Sequence, residues 1–266
     1  MIREFFTFLT TPCPRPLRAM GYLYEAAAIS GRYGRHQATW EPHLDRSRRC
    51  IIKAASACVQ RRKAVVFGSG LLLDCPVAEL AHLFREVVFV DIIHIRRALR
   101  QGVRYDNVRF AEADVTGIVH DLYKNVSAGR TALPEPLVFL PEVDKETDFV
   151  VSLNLMAQLP VLPVRYVSDR LGGLDDQAIE NWSCRIAAAH YQALAKFNAK
   201  VLLITDNAYR IHDRKGTLVE EGPTMPGLTL PEPHERWSWP IAPLGEQSRR
   251  FTRTLLVGAW RLGVDS

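Results

Sequence analysis

Ala64-Val65-Val66-Phe67-Gly68-Ser69-Gly70-Leu71-Leu72-Leu73 is the stretch on which the fold turns. Its apolar run reads as a buried strand, and Gly68-Ser69-Gly70 bends the chain sharply at the end. Outward from it the pattern repeats. Asp74 is placed to cap a helix with Pro76 in its first turn and Val77, Leu80, Ala81 and Phe84 on its buried side. Val87-Val88-Phe89-Val90 is a second buried strand closed by Asp91, followed by a helix over 93–101. Asn107-Val108-Arg109-Phe110-Ala111 is a third, closed by Glu112-Ala113-Asp114. After a Pro-rich loop over 124–147, Asp148-Phe149-Val150-Val151-Ser152-Leu153 forms a fourth strand that ends at Asn154. An amphipathic helix over 175–198 precedes a fifth strand, 200–204, closed by Thr205-Asp206-Asn207. A polar loop over 208–234 leads to two extended segments, 235–242 and 252–261.

Strands alternating with helices imply a parallel sheet wound by right-handed crossovers. The last two segments are too close in sequence for a crossover, so they pair antiparallel. Ligands of such sheets bind outside the carboxyl ends of the strands, where strand order reverses. Those ends carry Gly68-Ser69-Gly70, Asp91, Asp114, Asn154 and Asp206-Asn207. Gly68 and Gly70 let the backbone approach a ligand with no Cβ in the way. Asp91, some twenty residues on, stands where a carboxylate accepts from ribose hydroxyls. Asp114 suits an adenine amino group. Each also has a plain structural reading, since a strand-ending Asp or Asn often only caps the next helix. The third glycine of the dinucleotide fingerprint is missing, because that position holds Leu73.

Taken together, residues 64–262 resemble the class I S-adenosylmethionine-dependent methyltransferases. The resemblance implies an α/β, open, mostly parallel seven-stranded Rossmann-like sheet with a C-terminal antiparallel hairpin and helices on both faces. Val65–Gly70 resembles the family's glycine-rich first motif, and Val88–Asp91 its second. Phe110–Val115 resembles the third and Asp148–Asn154 the fourth. The resemblance implies S-adenosylmethionine as cofactor. It would be held by Gly68, Ser69 and Gly70 at the methionine part, Asp91 and Ile92 at the ribose, and Asp114 and Val115 at the adenine. Asn154 would lie by the transferring methyl group as the candidate catalytic residue. Two positions depart from the family pattern: Val66 replaces an acidic residue, and Leu72 a glycine. The fourth motif also lacks the Asn-Pro-Pro-aromatic signature of amino-methylating nucleic-acid enzymes.

Composition bounds the rest. The 266 residues are 47% hydrophobic and 24% charged, which suits a globular core rather than a disordered chain. The chain divides into an N-terminal helical extension or lid, 1–62, and a methyltransferase domain, 63–266. Residues 1–38 read as irregular or short-helical, and Trp40–Gln60 as a helix. The net charge of +5 comes mostly from arginine, since only seven of 34 basic residues are Lys. They are dispersed, which fits a solvated surface better than a nucleic-acid footprint. Five cysteines without CxxC spacing suit reduced thiols. His36 and His43 lack a third ligand, so no metal site is expected. Met1–Phe6 lacks the long apolar stretch of a signal peptide, and no run is long enough to span a bilayer, so a soluble, cytoplasmic protein is expected.

The acceptor is not legible. Aromatic residues in the extension (Tyr22, Tyr24, Tyr33, Trp40) and near the C-terminus (Tyr209, Trp237, Trp239) suit lids over a small-molecule acceptor. An RNA or protein acceptor and a degenerate, non-catalytic relative stay open.

Overall fold

A computed structural model describes residues 11–263; the reading of Met1–Phe6 lies outside the described residues. Eight strands form one sheet: β1 (Lys63–Phe67), β2 (Glu86–Asp91), β3 (Val108–Glu112), β4 (Thr147–Leu153), β5 (Lys200–Asp213), β6 (Leu218–Pro223), β7 (Glu235–Ala242) and β8 (Phe251–Leu262). Seven of them run in the order β3-β2-β1-β4-β5-β8-β7, and β6 pairs only with the far end of β5. β1 to β5 are mutually parallel where they meet. β8 runs antiparallel between β5 and β7. This is the expected open, mostly parallel Rossmann-like sheet with an antiparallel C-terminal pair, its order reversing between β1 and β4.

β1 is central because every residue in it is buried, as a strand covered on both faces must be. Alternation along it feeds two cores. Ala64 and Val66 join Val87, Phe89, Val151 and Leu202 on one face, beneath Trp40, Leu44 and Ile51 of α2 (Tyr22–Ser56) and Leu80 of α3 (Val77–Leu83). Val65 and Phe67 join Val88, Val150 and Leu203 on the other, beneath Ala187 and Leu194 of α7 (Asp176–Ala195). At the N-terminus of α7, Asp175 caps by accepting from the Ala178 amide at 3.1 Å. The remaining helices are short: α1 (Arg15–Ala19), α4 (Arg96–Gly102), α5 (Val119–Ser127) and α6 (Val161–Ser168). No described helix is long and apolar enough to cross a membrane.

Three features differ from the sequence reading. The segment before Trp40, read as irregular or short-helical, is one helix with the next from Tyr22, so α2 runs 35 residues. It is broken at His36 (φ −124°, ψ 25°), a turn before Pro42, whose ring cannot sit in an undistorted helix interior. The loop read over 208–234 instead extends β5 to Asp213 and contains β6. β6 is exposed along nearly its whole length, so no buried face imposes the alternation that would reveal it. Asp74 does not cap α3, whose N-cap is Pro76.

The break in α2 is tied to the β7–β8 turn. Glu246 receives Arg35 Nη2 at 2.7 Å and Nε at 3.0 Å, and lies 2.7 Å from His36 Nε2. Arg35 first, then His36, depresses the Glu246 pKa to about 2 from its ordinary 4.5, against the effect of burial. A depressed carboxyl stabilises the fold above its unfolded pKa and loses that contribution as pH falls toward the folded one. Acid titration of thermal stability should therefore show a loss between pH 4.5 and 2 that Glu246→Gln lacks. Identical profiles would mean that the cluster does not hold the bend.

Candidate cofactor and acceptor site

The loops after β1, β2 and β4 meet at the switch point. Gly68 N–H donates to Val90 O at 3.0 Å, which stitches the first loop to β2. Gly68 also sits against β4: a Cβ there would meet Leu153 O at 2.6 Å and Leu155 Cβ at 2.7 Å. With φ at +77° as well, only glycine fits. Gly70 (φ +47°) is exposed, and an added Cβ would only just touch Gly68 O at 3.9 Å and Asp91 Oδ2 at 4.0 Å. Leu72 keeps the left-handed backbone (φ +58°) at the position where the resembled family has glycine. Its side chain is buried in the core beside α3, and that burial offsets a left-handed penalty of ~1–2 kcal/mol.

Asp91 stands at the end of β2 and reaches across to the first loop. Oδ2 accepts from Gly70 N–H and Oδ1 from Ile92 N–H, both at 2.7 Å. Desolvation raises its pKa to about 6 despite those amide bonds, and the nearby Glu112 charge adds to the rise. The Ile93 amide also bonds the carboxylate, so of its roughly four lone-pair sites one remains for a ligand hydroxyl. Asp114 is more heavily engaged. Oδ1 accepts from the Thr116 amide at 2.9 Å and the Thr116 hydroxyl at 2.5 Å, and Oδ2 accepts from Val119 N–H at 2.9 Å. It therefore holds the first turn of α5, the alternative that the sequence left open, with one lone pair to spare.

Ile92 is half-buried against Leu23, Leu71 and Ile93, whereas Val115 is buried in the core below the sheet. Ser69 is buried and hydrogen-bonded to His94 Nε2 at 3.0 Å. Burial pushes His94 down to about 4, so it is neutral at pH 7. Sequence reasoning missed His94, which follows the second strand in a segment read as the start of a helix.

Asn154 ends β4 in a left-handed conformation (φ +47°) within a second cluster that the sequence did not reveal. Its Nδ2 lies 2.7 Å from Asp74 Oδ2 and 3.3 Å from His43 Nε2. Trp237 Nε1–H donates to His43 Nδ1 at 2.9 Å, and the His43 ring stacks on Trp239 at 3.9 Å. The indole can only donate, so His43 Nδ1 is bare and the neutral ring carries its proton on Nε2. Burial pushes His43 down to about 3, which keeps it neutral. Asn154 Nδ2–H donates to the Asp74 carboxyl, and desolvation raises the Asp74 pKa against that bond and the Arg48 charge. The other amide atom of Asn154 is buried without a partner among the described residues. These contacts join residues 43, 74, 154 and 237, so no local motif could have announced them.

The N-terminal segment packs beside the site, with Gly70 left exposed. Met20 and Tyr22 pack with Ile118, Val119 and Ile92, while Leu23 packs with Leu71, Ile93 and Ile95. A surface groove of about 530 Å³ lies elsewhere, lined by Gly117, Asp121, Lys124, Asn125, Arg130 and Glu135, none of them a site residue read from the sequence.

No protein-family profile and no curated protein sequence matches the chain. Among solved structures it is similar to a DhpI–SAM–HEP complex, at 14% identity over 92% of this chain and 99% of that one, with a TM-score of 0.39. It is also similar to the N-methyltransferase NodS from Bradyrhizobium japonicum WM9 in complex with S-adenosyl-L-homocysteine, at 11% identity over 82% and 87%, with a TM-score of 0.34. A third is an O-methyltransferase family protein from Burkholderia thailandensis, at 14% identity over 70% of this chain and 45% of that one, with a TM-score of 0.35.

The protonation pattern around Asn154 has a direct test. Burial favours the neutral acid at Asp74, so Asp74→Asn should lie within ~1 kcal/mol of the unmutated protein in chemical denaturation, the scale of one hydrogen bond. A loss above ~3 kcal/mol, the scale for stripping the charge from a buried hydrogen-bonded group, would mean that Asp74 is ionised.

Proposed function

We propose that the chain is an S-adenosylmethionine-dependent methyltransferase acting on a small-molecule acceptor. One observation carries the reading: Asp91, at the carboxyl end of β2, bonds the Gly70 amide of the glycine loop beside the switch point and keeps a lone pair for a ribose. Gly68, Ser69 and Gly70 would border the methionine part, Asp91 and Ile92 the ribose, and Asp114 and Val115 the adenine. Asn154 would stand beside the transferring methyl group.

The residues present fit such a cofactor on two counts. A Cβ on Gly70 would stand 4.0 Å from Asp91 Oδ2, on the face that a ribose would meet, and the buried Asn154 amide has an atom without a partner among the described residues. The cofactor supplies a methyl already activated on a positively charged sulfur. The chain then needs chiefly to align the acceptor, which supplies up to ~7–11 kcal/mol of the barrier when geometry is right. Within that scheme His43, Asp74 and Trp237 act through Asn154, fixing which amide atom meets the acceptor.

The arginine surplus supports a small acceptor over a polyanion, because much of it is spent in ion pairs. Examples are Arg46–Glu235 at 2.9 Å, Arg62–Asp148 at 2.6 Å and Arg185–Glu135 at 3.1 Å. A second reading, a scaffold that no longer binds cofactor, draws on the N-terminal segment packed beside the strand ends.

Calorimetric titration with S-adenosylhomocysteine separates the two readings. Asp91→Ala should weaken binding by ~1.5–3 kcal/mol through loss of charge-assisted hydrogen bonds. Asp91 is ionised above about pH 6, so affinity should fall as pH drops from 7 to 5, and the Ala variant should lack that fall. Equal affinity in both proteins would remove Asp91 from the ribose role.

A further inference from the structure

β8 stands between β5 and β7, and residues directly opposed across antiparallel strands share a face. On the face beneath Trp40 of α2, Val257, Leu255 and Arg253 follow one another outward from the strand ends. Asp206 of β5 stands opposite Val257, while Tyr209 of β5 and Trp239 of β7 flank Leu255. This face begins beside the candidate catalytic residue. Asn154 N–H donates at 2.8 Å to the carbonyl of Ile204, which lies just before Asp206 on β5. His43, 3.3 Å from the Asn154 amide nitrogen, stacks on Trp239. Asp206 and Trp239 are buried, whereas Tyr209 and Arg253 are half-buried, so the face opens toward its outer end.

Its donors lack what their counterparts elsewhere have. Trp40, Trp182, Trp237 and Trp260 each give their indole N–H to an acceptor in the protein. Trp239 Nε1, on a side chain only 7% exposed, is buried without a partner among the described residues. Arg32, Arg46 and Arg253 each bury an Nε that has no partner, but Arg32 and Arg46 form ion pairs through another nitrogen. Arg253 forms none among the described residues, and its guanidinium lies over the Tyr209 ring, 4.8 Å from the centroid. An unpaired buried donor costs the fold its desolvation, so both call for an acceptor from outside the chain. The inner end offers the reverse, with the Asp206 carboxyl buried and the Asn154 amide oxygen unpartnered.

We propose that this face holds the methyl acceptor, a small molecule whose anionic oxygen group, a carboxylate or phosphate, binds Arg253 and Trp239, and whose hydroxyl or amine meets Asp206 and Asn154. The inference rests on the methyltransferase reading and names the chemistry of its acceptor. A guanidinium held flat against a ring keeps its edge free for such a group. Successive residues on one face of a strand are about 7 Å apart. The guanidinium reaches back by one such step, so the anion and the nucleophile of the acceptor stand about one step apart.

The test follows the Trp239 and Arg253 Nε–H signals of the full chain by proton–nitrogen NMR while acetate or inorganic phosphate is added at constant ionic strength. The titrations are run with and without S-adenosylhomocysteine, and Trp239→Phe and Arg253→Gln assign the signals. At least one anion should shift both signals saturably, and comparing the two anions separates a carboxylate site from a phosphate site. Arg253→Gln should weaken that binding about tenfold, the scale of a charge-assisted hydrogen bond, and Arg253→Lys by less. Arg85→Gln, an exposed position before β2, should change nothing. Signal dispersion verifies folding, and Arg253→Lys carries the test if the Gln variant is unfolded. A shift that persists undiminished in Arg253→Gln is an adventitious ion only and overturns the proposal, as does no shift at either residue. S-adenosylhomocysteine binding without anion binding overturns the acceptor chemistry alone. Anion binding without S-adenosylhomocysteine binding overturns the methyltransferase reading and the acceptor role together, and silence with both ligands does the same.

Discussion

A missing side chain at position 68 is the constraint on which the rest of this structure depends. β1 and β4 must lie side by side for the strand order to reverse between them, and the loops leaving them must then share one small space. A Cβ on Gly68 would stand 2.6 Å from Leu153 O, and its backbone is left-handed as well. Because both demands are met by glycine, the loop after β1 folds down onto β4 and across to Val90, bringing Gly70 to Asp91. Leu72 shows the same turn kept with a less suitable residue, its side chain held in the core. The loop geometry is thus preserved where the sequence departs from the pattern it resembles.

The sheet was legible because its strands are buried on both faces and end at polar residues. Val65, Val88, Val150 and Val201 lie in one register across four strands, each within an uninterrupted apolar run. The antiparallel pairing of β7 with β8 followed from the short link between them. What escaped notice had no such signature. β6 has neither face buried, so nothing in its pattern separates it from a loop. The helix before Trp40 contains glycines and a break, which blur a 3.6-residue period.

The site was half legible for a related reason. Glycines and strand-ending acids repeat at recognisable distances, so Gly68, Gly70, Asp91 and Asp114 could be picked out by position. Position did not reveal what they bond. Asp114 holds a helix turn, and Asp91 binds backbone amides. The partners of Asn154 come from α2, from the loop before α3 and from β7, so they exist as a group only after folding.

The account stands on the strand ends being a nucleoside site, and a crystal structure of the protein grown with S-adenosylhomocysteine tests this most directly. The account predicts electron density for the ribose on the Asp91 carboxylate and for the adenine near Asp114, with the thioether beside Asn154. Density for the ligand in the groove between Lys124 and Arg130, or an unliganded site at saturating concentration, would contradict it.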